Sequence, residues 1–120
     1  MSDMKTIVRL LTAIRTAEEK PVWDPAYVSE KVLKTSERER DILAVKLQKA
    51  GLIEGLITTE GIDNAPKNTV LWEQSEPEVT LKGIEYMETD SAFLKAVKEI
   101  GKAGLNVAAS IVEAKIMGMN

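Results

Sequence analysis

Arg38, Gln48 and Lys49 on one predicted helix, and Lys67 on the loop after it, are the side chains of this chain whose types and spacing suit a nucleic acid. An arginine fork matches the O6 and N7 atoms of guanine, a glutamine amide matches the edge of adenine, and lysines neutralise phosphates. Other chemistries find little support. The 120 residues include no cysteine and no histidine, so disulfides, the common zinc sites and imidazole-assisted nucleophiles lack their usual groups. Glu76 with Glu78, and Glu60 with Asp63, pair carboxylates on polar segments that do nothing to fix their separation, as acid–base catalysis requires. Gly101 and Gly104 do not form a phosphate loop, because no strand precedes them and no Gly-Lys-Ser or Gly-Lys-Thr follows. No catalytic residue, metal ligand or cofactor is assigned, and a protein that is not an enzyme is expected.

Charge restricts the nucleic-acid reading. With 16 Lys and Arg against 19 Asp and Glu, the net charge of −3 leaves no dispersed basic footprint, so any phosphate-binding surface has to be local. Even there, Glu37, Glu39 and Asp41 are interspersed with Arg38, Arg40, Lys46 and Lys49. The same face therefore also reads as a solvated helix surface or a protein contact. Lys67 shares its loop with Glu60 and Asp63, which disfavours deep insertion into a minor groove.

The elements that must carry these residues follow from periodicity and capping. Met4, Ile7, Val8, Leu11 and Ile14 recur at three- and four-residue steps and predict a first helix from Met4 to Ala17. Asp24 before Pro25 is a helix start, giving a short second helix over 25–33. Thr35 and Ser36 cap a third, with Glu39 placed for a capping box and Gly51 as its stop. On that helix Leu43, Leu47 and Ala50 are expected to face the core, which turns Arg38, Asp41, Val45, Gln48 and Lys49 outward. Apolar segments 52–58 and 69–72, separated by a polar loop with Gly61, Asp63, Asn64, Pro66 and Asn68, predict a β-hairpin. Trp23 and Trp72 are read as packing residues rather than stacking platforms. Thr80 caps a helix running to about Thr89, and Asp90 or Ser91 starts the last one.

Helix, helix, helix, strand, loop, strand, helix is the order of a winged helix-turn-helix, and two local signals sharpen it. Lys46-Leu47-Gln48-Lys49-Ala50-Gly51-Leu52-Ile53 resembles the end of a winged-helix recognition helix, where glycine turns the chain while Leu47 and Leu52 close over one core. Val79-Thr80-Leu81-Lys82-Gly83-Ile84-Glu85-Tyr86-Met87 resembles the threonine-capped, glycine-containing helix that leaves the second wing strand. Over roughly Met4 to Ile100 the chain resembles the YjcQ family of small prophage and bacterial-chromosome proteins. The resemblance implies a winged-helix fold and a prophage context but brings no established activity. Arg40 departs from it, standing where relatives tend to place an apolar residue.

The fold class expected is mainly α with a small β-hairpin (α+β), a winged helix-turn-helix over 1–90 followed by a long C-terminal helix over 91–120. From Ala92 to about Met117 a continuous helix would extend roughly 39 Å at about 1.5 Å per residue. Val97, Ile100, Gly104, Val107 and Ile111 lie on its heptad-like seam, so a homodimer is expected, with packing of the helix on its own domain as the other arrangement. Gly101 and Gly104 either gain compensating contacts or bend that helix. Lys95, Lys98, Glu99 and Lys102 exclude a membrane span, and the charged N-terminus carries no secretion signal, so a cytoplasmic protein is expected. Two further partners remain open: double-stranded DNA, or a host or phage protein.

Overall fold

In the computed structural model, which describes residues 3–105, helix α1 (Asp3–Glu18) is the element on which the others are assembled. Val8, Leu10, Leu11, Ala13 and Ile14 are wholly buried in it, and Met4 and Ile7 pack at the edge of the same core. Burial on more than one side reflects neighbours on more than one side: α1 touches α2, α3, β2 and α5.

The second helix is divided. Asp24 accepts from the Ala26 amide at 2.9 Å and starts a 3-10 turn, Pro25–Val28, but Ser29 then adopts an extended conformation and caps a separate α2 (Glu30–Leu33). One helix over 25–33 was expected, and the interruption arises because Ser29 takes the cap position for itself. Helix α3 (Glu37–Lys49) starts as expected, with Ser36 Oγ accepting from the Glu39 amide at 3.1 Å. Only half of the capping box forms, since the Glu39 carboxylate accepts from Thr35 Oγ1 at 2.8 Å. Gly51, at φ 81°, ends the helix. Leu47 and Leu52 then meet in the main core, with Leu43 also buried.

The expected hairpin is present in altered form. Its outer part pairs as anticipated: Thr58 bridges Val70, the Leu71 amide donates to the Ile57 carbonyl at 2.8 Å, and the Thr59 amide to the Thr69 carbonyl at 3.1 Å. The inner part does not continue into that partner. Strand β1 (Ile53–Glu54) pairs instead with β2 (Glu78–Val79), antiparallel, with Ile53 opposite Val79 and Glu54 opposite Glu78. The expected second strand stops because Trp72–Gln74 closes into a 3-10 turn, fixed where Ser75 Oγ donates to the Leu71 carbonyl and accepts from the Ile57 amide. The chain thus joins the sheet with its Glu78–Val79 segment. The result is a mainly α fold with a small two-stranded antiparallel sheet.

After β2, Thr80 serves two elements. Its hydroxyl accepts from the Gly83 amide at 3.0 Å, capping α4 (Leu81–Thr89), and donates to the Gly51 carbonyl at 2.6 Å, while Lys82 Nζ donates to the Ala50 carbonyl at 2.9 Å. The end of α3 and the start of α4 are therefore joined through two side chains. Asp90 caps α5 (Ser91–Gly104) by accepting from the Phe93 amide at 2.8 Å. The core continues past residue 90, since Phe93 and Ala96 are buried in it and Phe93 meets Tyr86 edge-on at 5.5 Å.

Helix α5 is broken at Gly101, which has φ 78° and ψ 164°. A bend was one of the two outcomes expected of the glycines, and it replaces the continuous helix. Val97 and Ile100 are half-buried against the chain's own core, as the second of the two expected arrangements requires, and Gly104 is exposed. The seam residues Val107 and Ile111 lie outside the described residues. Among the described residues no helix is long and apolar enough to cross a membrane.

Gly83 permits the close approach of α4 to the α3–β1 junction. A Cβ there would overlap the Leu52 carbonyl and press on Val79 Cγ1 at 2.6 Å, and the Leu52 backbone cannot yield without disturbing the sheet. Gly83→Ala is expected to lower the unfolding free energy by about 2 to 3 kcal/mol, the usual cost of overpacking. Urea denaturation monitored by circular dichroism measures it, and an unchanged midpoint would refute the close-contact argument.

Candidate nucleic-acid interface

Helix α3 presents one stripe of side chains to the hairpin: Arg38, Asp41, Val45 and Gln48, at steps of three, four and three. The Asp41 carboxylate is buried. Its Oδ1 accepts from Arg40 Nε and from Trp72 Nε1, each at 2.8 Å, and its Oδ2 accepts from the Val70 amide at 3.0 Å. Removing a carboxylate from water costs several kcal/mol, and three charge-assisted hydrogen bonds with an adjacent guanidinium are the setting in which that cost is offset. Arg40 is held in turn by the Val28 carbonyl at 2.9 Å, and its guanidinium lies 5.2 Å from the centroid of the Trp72 ring. An arginine can therefore stand at a position where an apolar residue would otherwise pack.

The two tryptophans are packing residues. Trp72 is buried, and Trp23 Nε1 donates to the Trp72 carbonyl at 2.7 Å, with the ring centroids 6.3 Å apart. Further along the stripe Val45 is buried, and Gln48 grips the strand backbone, its Oε1 accepting from the Leu56 amide at 2.9 Å and its Nε2 donating to the Leu56 carbonyl at 3.5 Å. The expected outward face is thus corrected at Asp41 and Val45, which turn inward, and Gln48 spends its amide on the protein's own backbone. Periodicity distinguishes apolar from polar residues, but it cannot show that a polar residue belongs to a buried network.

What α3 offers to solvent is a neighbouring stripe, Glu39, Lys46 and Lys49 with half-buried Ile42 between them and Arg38 at its border. Lys46 is exposed although it is not among the residues expected to face outward, because that expectation centres the outer face on Asp41 and Val45. Once those two are turned inward, the same 3.6-residue period exposes Lys46. Lys49 is exposed as expected.

The loop that follows Thr58 is built by its own bonds. The Ile62 amide donates to the Thr59 carbonyl, the Ala65 amide to the Ile62 carbonyl, and Thr59 Oγ1 to the Pro66 carbonyl, while Asn64 and Asn68 supply left-handed turns at φ 62° and 52°. Asparagine tolerates that conformation better than most residues. Between loop and helix lies a cleft of about 570 Å³, with Val45 and Lys49 on the helix wall and Thr58 to Asn68 on the other. Lys67 lines it opposite Lys49, as do Glu60 and Asp63. Arg38 does not line the cleft but bonds the loop wall, Nη1 donating to the Lys67 carbonyl at 2.6 Å and the Asn68 carbonyl at 3.4 Å.

The structure therefore brings Lys49 and Lys67 to one cleft, ties Arg38 to the backbone of the loop that forms its wall, and commits Gln48 to Leu56. Neither the Lys5–Glu99 nor the Arg40–Asp41 ion pair engages Lys46, Lys49 or Lys67. Also among the described residues, no group of three or more acidic side chains is disposed to hold a metal ion.

This arrangement defines a small α+β domain whose third helix and following loop enclose a cleft with cationic side chains on both walls. The family model described as YjcQ protein matches residues 8–103, and the chain belongs to the YjcQ family. No curated protein and no solved structure matches the chain.

Because Asp41 holds both Val70 and Trp72, its removal leaves two buried N–H donors and a guanidinium without their acceptor. Asp41→Ala is expected to cost about 3 kcal/mol in a urea titration, with Trp72 fluorescence shifted to the red. A loss under about 0.5 kcal/mol, within the range of an ordinary surface substitution, would contradict the role assigned to it.

Proposed function

We propose that this chain is a non-enzymatic winged-helix protein of prophage type that binds double-stranded DNA in the cytoplasm through the outer face of α3 and the loop after it, which acts as the wing. The carrying observation is that Lys49 and Lys67 face one cleft from opposite walls with no ion pair to either among the described residues. Unpaired ammonium groups beside a concave surface attract phosphates, and the order of helices and strands supports the winged-helix assignment. Lys46 extends the cationic surface along the helix, and Ile42 offers an apolar contact of the kind made with a thymine methyl. Winged-helix resemblance is fold analogy, so the DNA-binding role rests on the placement of these lysines.

A second reading has its own observation. Ile62, 56% exposed on the loop, and Leu81, 86% exposed at the start of α4, are large apolar groups of the sort used in protein contacts. With Glu60 and Asp63 on the same loop, Ile62 suits a host or phage protein better than a phosphate. Salt separates the two readings. In fluorescence anisotropy with a double-stranded oligonucleotide, DNA binding predicts affinity that falls steeply as salt rises. The double variant Lys49→Ala, Lys67→Ala should then weaken binding at least about tenfold and flatten the salt slope by nearly two. Absence of any salt-dependent complex at micromolar protein would remove the DNA reading in favour of the protein contact.

Pairing of two copies through the C-terminal segment would place two such faces on half-sites about 34 Å apart. Val97 and Ile100 are already engaged by their own core, so the contact would have to use residues beyond them, Val107 and Ile111 among these. Sedimentation equilibrium should show a dimer that Ile111→Asp converts to a monomer. A wild-type monomer at micromolar concentration would exclude it.

A further inference from the structure

Arg38 was expected to read a guanine, yet its guanidinium is turned toward its own chain. Nη1 donates to two successive carbonyls of the loop, at 2.6 Å to Lys67 and 3.4 Å to Asn68. The second of these residues is a left-handed turn, and two residues further on the Val70 amide is fixed to buried Asp41. The returning limb of the loop is thus attached to α3 at two points one helical turn apart, by Arg38 near the loop and Asp41 near the core. The outgoing limb is attached by Gln48, through the Leu56 backbone. Only the Arg38 attachment is exposed and lies beside Lys67.

We propose that Arg38 is a positioning residue that latches the wing onto α3 and so sets the separation of Lys49 and Lys67 across the cleft. The inference rests on the DNA-binding reading for its consequence, but the latch itself does not. A carbonyl-bound guanidinium holds the loop in one place before any ligand arrives, and a ligand that needs both walls then spends less on ordering the loop. Lysine keeps the charge and has three N–H donors but lacks the fixed guanidinium plane that directs both Nη1–H bonds, so Arg38→Lys should keep part of the effect.

The test uses the full chain and a double-stranded oligonucleotide. Arg38→Ala should weaken binding about three- to tenfold, the range expected for losing one hydrogen-bonded attachment, with the slope of log affinity against log salt unchanged. Arg38→Lys should fall between it and wild type. In amide hydrogen exchange, Gly61 to Asn68 should exchange faster in Arg38→Ala by a larger factor than the amides of α1, whose change should match any small fall in global stability. A salt slope reduced by about one would mean that Arg38 touches a phosphate directly and would overturn the proposal, as would loop exchange that does not change. If the wild-type chain binds no DNA, the exchange result still decides: faster loop exchange upholds the latch while the DNA reading falls.

Discussion

Asp41 determines how the hairpin sits on the helices. A carboxylate at this depth is tolerable only because Arg40, Trp72 and the Val70 backbone supply three donors together, and those donors come from two separate stretches of chain. The Val70 and Trp72 groups would in turn be buried N–H donors without an acceptor if the carboxylate left. Each side thus satisfies the other, and the geometry that does so allows little freedom. Interactions of this type contribute little net free energy compared with apolar packing, but they penalise every arrangement in which the partners are mismatched. The consequence is a fixed rotation of α3 about its own axis.

That rotation decides which residues of α3 meet solvent. With Asp41 inward, Val45 and Gln48 follow on the same side, and Gln48 completes the attachment by pairing with both polar groups of the Leu56 backbone. Lys46 and Lys49 are then placed on the outer surface, and Lys67 is carried to the far wall of the cleft by a loop whose internal bonds fix its own shape. A polar interior face thus supports a cationic exterior one. The net charge of −3 is compatible with this because Lys46, Lys49 and Lys67 form a local group whatever the remaining surface carries.

The C-terminal helix follows a different logic. Its first turns belong to the same core as α1, through Phe93 and Ala96, and Lys5 reaches Glu99 across the junction at 3.7 Å. At Gly101 the backbone enters the left-handed region, where glycine alone carries no steric penalty, and the helical period is lost. The seam expected to run from Val97 through Ile111 is therefore interrupted at Gly101, and Val97 and Ile100 before the break pack on their own domain.

Much of the fold was legible in the residues because its signals are local. The stripe of α1, the Asp24, Ser36, Thr80 and Asp90 caps and the Gly51 stop each depend on a few neighbouring positions, and each stands where it was expected. Short-range rules did less well once a segment had two potential partners: Ile53 and Glu54 pair with Glu78 and Val79 rather than with 69–72, because the turn at Trp72 and the hydroxyl of Ser75 intervene. Lys49 and Lys67 could be nominated from charge and position alone. That they share one cleft, that Arg38 faces the loop and that Gln48 is consumed by Leu56 were decided by the tertiary structure, because a polar side chain satisfied in the interior and one left to water have the same letter in the sequence, and only the position of its hydrogen-bond partner separates them.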